Sequence, residues 1–307
     1  LRSQCRRLDR RGRGGGRPAR RWLDSVAASF RTAHVERPAA GCLDDARDRV
    51  ATSASLRPFF RPSCVAIVGA SRSPTNIGTR VLNAIVSAGF QGTVYPVNPN
   101  ADVVRSLKAY SSIRSLPKVP DLVVVAVPAN AVDAVIDDCA SRGVRAAIVI
   151  SAGFAEVGAE GRKRQQELLG KIRDYGMRMV GPNCLGLLNT DPEVRLNASF
   201  APDFPAPGNV AFASQSGALG LAVINLAQGR NLGLSSFVSV GNKADISGND
   251  LLQYWDEDER TKVILLYLES FGNPRRFARI AKRVSRHKPI VAVKAGRTGA
   301  GRRAAGS

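Results

Sequence analysis

The sequence predicts an α/β protein made of two doubly wound parallel-sheet domains. Short apolar strands alternate with amphipathic helices from residue 64 onward, a glycine- and proline-rich stretch interrupts them at 181–208, and a second alternation follows. At 307 residues the chain is long enough for two such cores. We expect a basic, disordered extension over residues 1–55, a first domain over 56–185 and a second over 186–307.

The elements of the first domain follow from hydrophobic periodicity. We expect order to begin in the aromatic and proline-rich segment 56–62, which leads into the first strand. Runs that are short, apolar and rich in β-branched residues predict strands at 64–69, 93–97, 121–127, 145–150 and 178–180. Apolar residues at helical spacing predict helices at 77–88, 130–142 and 160–175.

The second domain has the same alternation of strands and helices, after a connection that we place around residues 185–207. Strands are predicted near 209–213, 234–240, 262–268 and 289–294. Helices are predicted near 216–229, 248–256 and 274–286. Together the two halves specify parallel sheets covered by helices on both faces.

Charge is distributed unevenly along the chain. The net charge is +20, and residues 1–50 carry 13 arginines against 6 acidic residues. Because aromatic residues are not interleaved with these arginines, nucleic-acid binding is disfavoured. The remaining positive charge could favour anionic ligands by electrostatic steering.

The cysteines and histidines exclude two kinds of site. The five cysteines show no paired spacing, and only two histidines are present, so neither a disulfide framework nor a metal centre is expected. The longest apolar run, 122–129, contains Pro128 and is too short to cross a bilayer. Residues 1–20 do not resemble a secretory signal, because they lack an apolar core. We therefore expect a cytoplasmic protein without a membrane partner or a metal.

The junction Ser214-Gln215-Ser216-Gly217 is the most informative segment of the second domain. It separates a predicted strand from a predicted apolar helix, and its residues are small, polar or glycine. A helix N-terminus of this kind binds anions, because free N–H groups and the helix dipole both favour negative charge. The alternative is an ordinary N-cap.

Similar loops follow the strands of the first domain, where ligands of open parallel sheets bind. The loop from Gly69 to Gly78 is glycine-bounded and contains Arg72, but it is not the Gly-x-Gly-x-x-Gly dinucleotide motif. The second strand ends at Asn98-Pro99 without the acidic residue that an NAD site needs. Each loop alone could be a structural turn, yet together they favour a nucleotide-like ligand.

The ordered set of these loops resembles the nucleoside-diphosphate-forming acyl-CoA synthetases, which include the succinyl-CoA synthetase α subunit. The resemblance covers roughly residues 56–307. It implies a Rossmann-like CoA-binding domain followed by a flavodoxin-like ligase domain. The motifs are Gly69-Ala70-Ser71, Val97-Asn98-Pro99, Val127-Pro128-Ala129, Ser151-Ala152-Gly153-Phe154, Gly181-Pro182-Asn183-Cys184-Leu185-Gly186 and Ser214-Gln215-Ser216-Gly217.

The resemblance also implies an activity and a set of site residues. Enzymes of this family interconvert a carboxylic acid, CoA and ATP with acyl-CoA, ADP and phosphate, through an acyl phosphate and a phosphohistidine. Ser214, Gln215, Ser216 and Gly217 would hold the phosphate, and Glu269 would orient the histidine. The residues implied to bind CoA are Gly69, Ser71, Arg72, Asn76, Ile77, Gly78, Asn98, Pro99, Val127, Pro128, Ser151, Ala152, Gly153 and Asn183.

Three departures from the family pattern limit what the resemblance implies. The sequence ends at Ser307, one position before the expected Ser-His-Thr-Gly histidine, and neither His34 nor His287 is placed to replace it. The ATP-grasp part, which would bring ATP or ADP with Mg, would have to come from a β subunit or a fused domain in an oligomer. Leu221 replaces a tyrosine of the succinate-specific relatives, so a small acid such as acetate is expected instead.

Three other interpretations remain open at this point. The chain could be a non-catalytic CoA-binding or regulatory module, for example part of a protein acetyltransferase fusion. It could be an NAD(P) oxidoreductase, which the missing acidic residue after the second strand disfavours. Cys184 could act as a nucleophile, but no histidine is placed to activate it.

Overall fold

The structure, a computed structural model, describes residues 41–295, with side chains from residue 50 onward. By their internal contacts the described residues from Arg47 onward form one compact unit, which contains both sheets described below. The described part of the chain contains no helix that is long and apolar enough to cross a bilayer.

The first sheet contains five parallel strands in the order β2-β1-β5-β6-β7. The helices that connect them lie at Ile77–Ala88 (α2), Ala129–Ser141 (α3) and Ala159–Asp174 (α4). A short antiparallel hairpin, β3 (Val103–Val104) and β4 (Leu107–Lys108), is inserted after β2. The strands are β1 (Cys64–Val68), β2 (Thr93–Val97), β5 (Leu122–Val125), β6 (Ala146–Val149) and β7 (Arg178–Val180).

The second sheet has six strands in the order β13-β12-β10-β11-β8-β9. The four strands from β13 to β11 are parallel, whereas β8 and β9 pair antiparallel at the edge beside β11. Its helices are α5 (Gly217–Gly229), α6 (Gly248–Glu257) and α7 (Pro274–Val284). The strands are β8 (Gly186–Asn189), β9 (Leu196–Ser199), β10 (Pro207–Ser214), β11 (Leu234–Ser239), β12 (Val263–Leu268) and β13 (Ile290–Lys294).

Each sheet has a topological switch point, where consecutive connections leave in opposite directions. In the first sheet it lies between β1 and β5, and in the second between β10 and β12. The carboxyl ends of the strands at a switch point diverge and leave a crevice, which is where open α/β sheets bind ligands. The order of the strands therefore gives this chain two crevices.

A shared apolar core joins the two sheets. One cluster of buried residues includes Val65 and Ile67 of β1 together with Val238 of β11 and Leu266 of β12. Helices α2, α6 and α7 contribute to the same cluster. The outer face of the first sheet packs against α3 and α4, and that of the second packs against α5.

The structure corrects the expected start of the ordered chain. We expected the ordered part of the chain to begin at residue 56, in a proline-rich segment before the first strand. Instead, helix α1 spans Gly41–Phe60 and continues through Pro58. Leu56, Phe59 and Phe60 lie at helical spacing and are buried together, so one helical face packs into the core. Residues 1–40 of the expected extension lie outside the described residues.

The expected connection at 185–207 is also corrected. It contains β8 and β9, so the second sheet is mostly rather than wholly parallel. Strands of four residues between turns carry little periodicity, which is why the sequence pattern did not indicate them. The parallel-sheet α/β class and the helices predicted in both halves agree with the structure. The division at residues 55 and 185 stays a prediction.

Candidate functional site

Both switch points open into one cavity of about 1010 Å³. Ala126 to Pro128 follow β5 and line it from the first sheet, while Gln215 and Glu269 follow β10 and β12 and line it from the second. Its volume lies at the upper end of the roughly 300–1,000 Å³ found for small-molecule sites. The cavity is therefore large enough for an extended cofactor-sized ligand.

The N-terminus of α2 forms one wall of the cavity. Asn76 caps this helix, because its side-chain oxygen accepts a hydrogen bond from the Thr79 N–H at 3.0 Å. Gly78 packs directly on the backbone of Gly69, and an added Cβ would lie 2.6 Å from the Gly69 carbonyl carbon. The glycines thus hold the helix start against the end of β1, where Asn76 and Ile77 line the cavity. The first N–H groups of a helix have no acceptor within it.

The ends of β5 and β6 form the floor beside this helix. The Ser151 hydroxyl donates to the Val127 carbonyl at 2.6 Å and ties the two strand ends together. Asn183, which follows β7, donates its N–H to the Ser151 carbonyl at 3.0 Å. The residues that directly follow β5 and β6 are therefore small and uncharged, so a ligand can lie close to the chain here.

The N-terminus of α5 forms the opposite wall. Ser216 caps the helix by accepting from the Leu219 N–H at 3.3 Å, and the Ser214 hydroxyl donates to the Ser216 carbonyl at 2.7 Å. Gly217 and Ala218 occupy the first two helical positions and line the cavity. Their N–H groups have no acceptor within the helix, so this end favours an anion.

Glu269 lies beside that helix end and is half-buried. The Gln215 side-chain oxygen accepts from the Glu269 N–H at 2.7 Å and from the Ser270 N–H at 2.9 Å, so it clamps the end of β12 to the end of β10. Burial raises the pKa of the Glu269 carboxyl above its ordinary value, and the charges of Lys243 and Lys294 offset only part of this rise. The carboxylate is thus placed where it can accept a hydrogen bond from a group held at α5.

The structure brings about half of the predicted site residues to the cavity and leaves the others outside its wall. Asn98 shows the reason, because its side chain donates to the Ala70 carbonyl at 2.7 Å and so fixes the glycine loop instead of facing the cavity. Predicted residues that line the cavity are Asn76, Ile77, Val127, Pro128, Ser151, Ala152, Asn183, Gln215, Ser216, Gly217 and Glu269. Those that do not are Gly69, Ser71, Arg72, Gly78, Asn98, Pro99, Gly153 and Ser214.

Sequence reasoning missed a polar bridge between the two halves of the site. Glu156 and Asn242 both line the cavity, and the Asn242 amide donates to the Glu156 carboxylate at 2.5 Å. The other Glu156 oxygen accepts from the N–H groups of Gly153 and Phe154. Burial opposes ionisation of Glu156, but these hydrogen bonds outweigh it and hold its pKa below the ordinary value. No sequence signal pairs residues that lie 86 positions apart.

The lining side chains determine the charge of the cavity. Glu156 and Glu269 are the charged residues among them, and no lysine or arginine of the described chain is included. Inside the cavity, negative groups of a ligand would therefore be held by N–H groups and helix dipoles. Among the residues that the structure describes, no cluster of three or more His, Cys, Asp or Glu side chains could hold a metal ion.

Two family matches cover most of the chain. Residues 63–190 match the CoA binding domain, and residues 207–307 match the succinyl-CoA ligase like flavodoxin domain. The α subunit of acetate–CoA ligase [ADP-forming] I of Pyrococcus furiosus is 43% identical over 82% of this chain and 55% of its own length. The acetate–CoA ligase [ADP-forming] of Methanocaldococcus jannaschii is 42% identical over 82% of this chain and 35% of its own length.

A solved structure agrees with these matches. A dinucleotide forming acetyl-coenzyme A synthetase 1 of Ca. Korarchaeum cryptofilum, in complex with phosphate and ADP, is 48% identical with a TM-score of 0.77. The match covers 81% of this chain and 53% of that one. The chain therefore contains a CoA binding domain and a succinyl-CoA ligase like flavodoxin domain. It spans about half the length of the Pyrococcus subunit and a smaller share of the Methanocaldococcus enzyme.

Two further residues, Cys184 and His287, carry side chains that could act as nucleophiles. Cys184 lines the cavity, but its thiol donates to the Val149 carbonyl at 3.3 Å, and burial raises its pKa to about 12. His287 precedes β13, at the opposite end of the strands from Glu269, and contacts Asp256 at 2.6 Å. Neither residue is therefore placed to carry a phosphoryl or acyl group at this site.

Proposed function

We propose that this chain is the CoA-binding portion of an ADP-forming acyl-CoA synthetase. The complete enzyme would interconvert a small carboxylic acid, CoA and ATP with acyl-CoA, ADP and phosphate. The observation that carries the proposal is that the switch points of both sheets open into one cavity. A thiol ester can form only where CoA and the activated acyl group meet, and this cavity gives them a common place.

The first-sheet side of the cavity suits CoA. The N–H groups at the start of α2 provide donors for phosphate oxygens, and the backbone around Val127 and Ser151 allows close approach. The net charge of +20 favours the approach of a ligand with several phosphate charges. In this proposal Arg72, which is exposed beyond the cavity wall, contacts a CoA phosphate in the complex.

The second-sheet side suits a phosphoryl group in transit. The start of α5 would hold the phosphate, and Glu269 would orient the histidine that carries it. That histidine would come from outside the described residues. Leu185, Phe200 and Leu221 line the cavity nearby and bring no charge, so the acid would be small and uncharged beyond its reacting carboxylate, as acetate is.

The proposal includes a partner. ATP or ADP with Mg would be bound by an ATP-grasp β subunit or fused domain, and the assembled enzyme would be an oligomer in the cytoplasm. The name of the Pyrococcus relative, which is an α subunit, supports a subunit or fused domain of this kind.

Isothermal titration calorimetry of the purified chain with CoA and with NAD tests the binding half of the proposal. We expect CoA to bind and NAD not to bind. Ala152→Glu, which puts a carboxylate on the cavity wall, should weaken CoA binding at least about tenfold, or ~1.4 kcal/mol. Ala159→Glu, at an exposed position of α4, is the matched control and should bind CoA normally. Binding of NAD without CoA would remove the assignment.

A half reaction separates the enzyme from a non-catalytic CoA-binding module. Acetyl phosphate and CoA would give acetyl-CoA and phosphate without any nucleotide. Thioester formation from these two compounds supports the synthetase. Normal CoA binding without thioester formation, in the chain together with its partner, favours the binding module instead.

A further inference from the structure

Lys243 lies in the turn after β11 and has a backbone conformation that is unusual for lysine. Its φ angle is +56°, in the left-handed region that glycine and asparagine adopt most readily. The turn is fixed from both sides, because Lys243 donates its N–H to the Val240 carbonyl at 2.9 Å and Ala244 donates to the Gly181 carbonyl at 3.1 Å. A side chain held in this way at the edge of a site is a candidate for a functional role.

The Lys243 ammonium reaches across the end of β10 to the turn that follows β12. Its Nζ donates to the Ser270 carbonyl at 2.8 Å and to the Ser270 hydroxyl at 2.6 Å. On the other side of the same turn, the Gln215 side chain accepts from the N–H groups of Glu269 and Ser270. The turn that carries Glu269 is thus held by Gln215, which follows β10, and by Lys243, which follows β11.

Lys243 also acts on Glu269 through its charge. Burial lowers the pKa of Lys243, while the Glu269 carboxylate opposes this and Lys294 adds to it. The charged groups that act on Glu269 within the described residues are Lys243 and Lys294, and both favour its ionised form. Of these two, Lys243 alone is hydrogen-bonded to the Glu269–Ser270 turn.

We propose that Lys243 is a positioning residue, which fixes the Glu269–Ser270 turn at the cavity and keeps Glu269 ionised beside the N-terminus of α5. This role rests on the proposed function, since Lys243 acts only through Glu269. It explains why a half-buried lysine occupies a left-handed turn outside the cavity wall. An ionised carboxylate only accepts hydrogen bonds and can therefore accept one from a histidine ring N–H. A protonated carboxyl carries an O–H of its own, which would donate instead.

The titration of Glu269 in the full chain tests the proposal directly. With ¹³C-labelled glutamate, and the Glu269 signal assigned from Glu269→Gln, the midpoint can be followed by NMR. Lys243→Gln should raise the midpoint by about one unit, a tenfold rise in proton affinity. Lys243→Arg, which keeps the charge, should remain close to the wild type. Lys262→Gln, at the opposite end of β12, is the matched control and should not shift it.

An unchanged midpoint in folded Lys243→Gln would overturn the proposal. If that variant does not fold, Ser270→Ala decides, because Ser270 is exposed and its hydroxyl is one of the two acceptors for Lys243. We expect a smaller rise in the midpoint there, and no rise would also overturn the proposal. The measurement needs no CoA, so failure of the wild type to bind CoA would remove the proposed function separately.

Discussion

Cys184 is buried where the chain leaves the first sheet, although it is part of the cavity wall. Burial raises the pKa of its thiol to about 12, and the thiol donates to the Val149 carbonyl. Since the thiolate is the reactive form, the native protein should label very slowly at Cys184 with iodoacetamide at pH 7, and the urea-unfolded protein should label quickly. A Cys5→Ser, Cys42→Ser background removes the two cysteines outside the described side chains. Rapid native labelling of Cys184 would restore the nucleophile interpretation.

Glu156 should make the stability of the molecule depend on pH. Its pKa is lowered from 4.5, so its contribution is present above pH 4.5 and is lost as the pH falls through the folded-state value. The difference in unfolding free energy between wild type and Glu156→Gln, measured with urea, should therefore shrink below pH 4.5. Glu167→Gln, at an exposed position of α4, is the control, and its unfolding free energy should differ little from that of the wild type. A difference that is constant across pH would contradict this contribution.

At the level of residues, the sequence indicated the groups that follow strands but not those that meet across the cavity. Gln215 could be placed because it follows a strand directly, and Glu269 could be placed because of the family resemblance. Glu156, Asn242 and Lys243 could not, because their contacts join segments that are far apart in the chain. Asn98 was assigned to the ligand groove, and in the structure its side chain donates to the Ala70 carbonyl instead of lining the cavity, so its contact with a ligand stays a prediction.

Helix α5 can pack closely on the second sheet because Gly220, which faces the Phe237 ring, has no side chain. An added Cβ at Gly220 would lie 2.6 Å from the Phe237 ring, so Gly220→Ala should destabilise the protein by about 1–3 kcal/mol. Gly229→Ala in the same helix meets nothing within 4 Å and should be neutral or stabilising by up to ~1 kcal/mol. Urea unfolding of both variants measures the difference. Equal stabilities would mean that α5 can shift away from β11.

Helices and strands could be predicted where the hydrophobic repeat extends over enough residues to be recognised. The helix at 77–88 agrees with α2, because its apolar residues repeat over three turns and Asn76 and Gly89 cap its two ends. Strands β8 and β9 were missed, since four residues show no clear period and Pro and Asp residues around them indicate a loop. α1 was missed because Pro58 suggested an extended segment.

At the level of the whole molecule, the two sheets share their core. Relative motion is the ordinary expectation for two domains unless a large apolar interface joins them, and here one buried cluster includes residues of both sheets. A polar link reinforces it, because the Asp245 carboxylate accepts from Arg178 Nε at 2.9 Å and from the Met179 N–H at 2.8 Å. The cavity thus lies between walls whose separation is fixed by packing.

This shared core predicts one cooperative unfolding transition. Trp255 is fully buried in the cluster and donates its indole N–H to the Ser236 hydroxyl at 2.9 Å, so its fluorescence reports the second sheet. In a Trp22→Phe background, Trp255 fluorescence and far-ultraviolet circular dichroism should give the same urea midpoint. Saturating CoA should move both signals together, because a ligand that binds the native state stabilises everything that unfolds with its site.

Asp245→Ala should lower that common midpoint without splitting it. The loss of two hydrogen bonds to a mostly buried carboxylate should cost about 2–3 kcal/mol. Asp138→Ala removes the more exposed Arg114–Asp138 pair, which lies within the first half of the chain, and should cost less than about 1 kcal/mol. If the fluorescence and circular dichroism midpoints separate in the wild type, the sheets unfold independently. The cavity walls could then move relative to each other, and the fixed meeting place for CoA and the phosphoryl group would be lost.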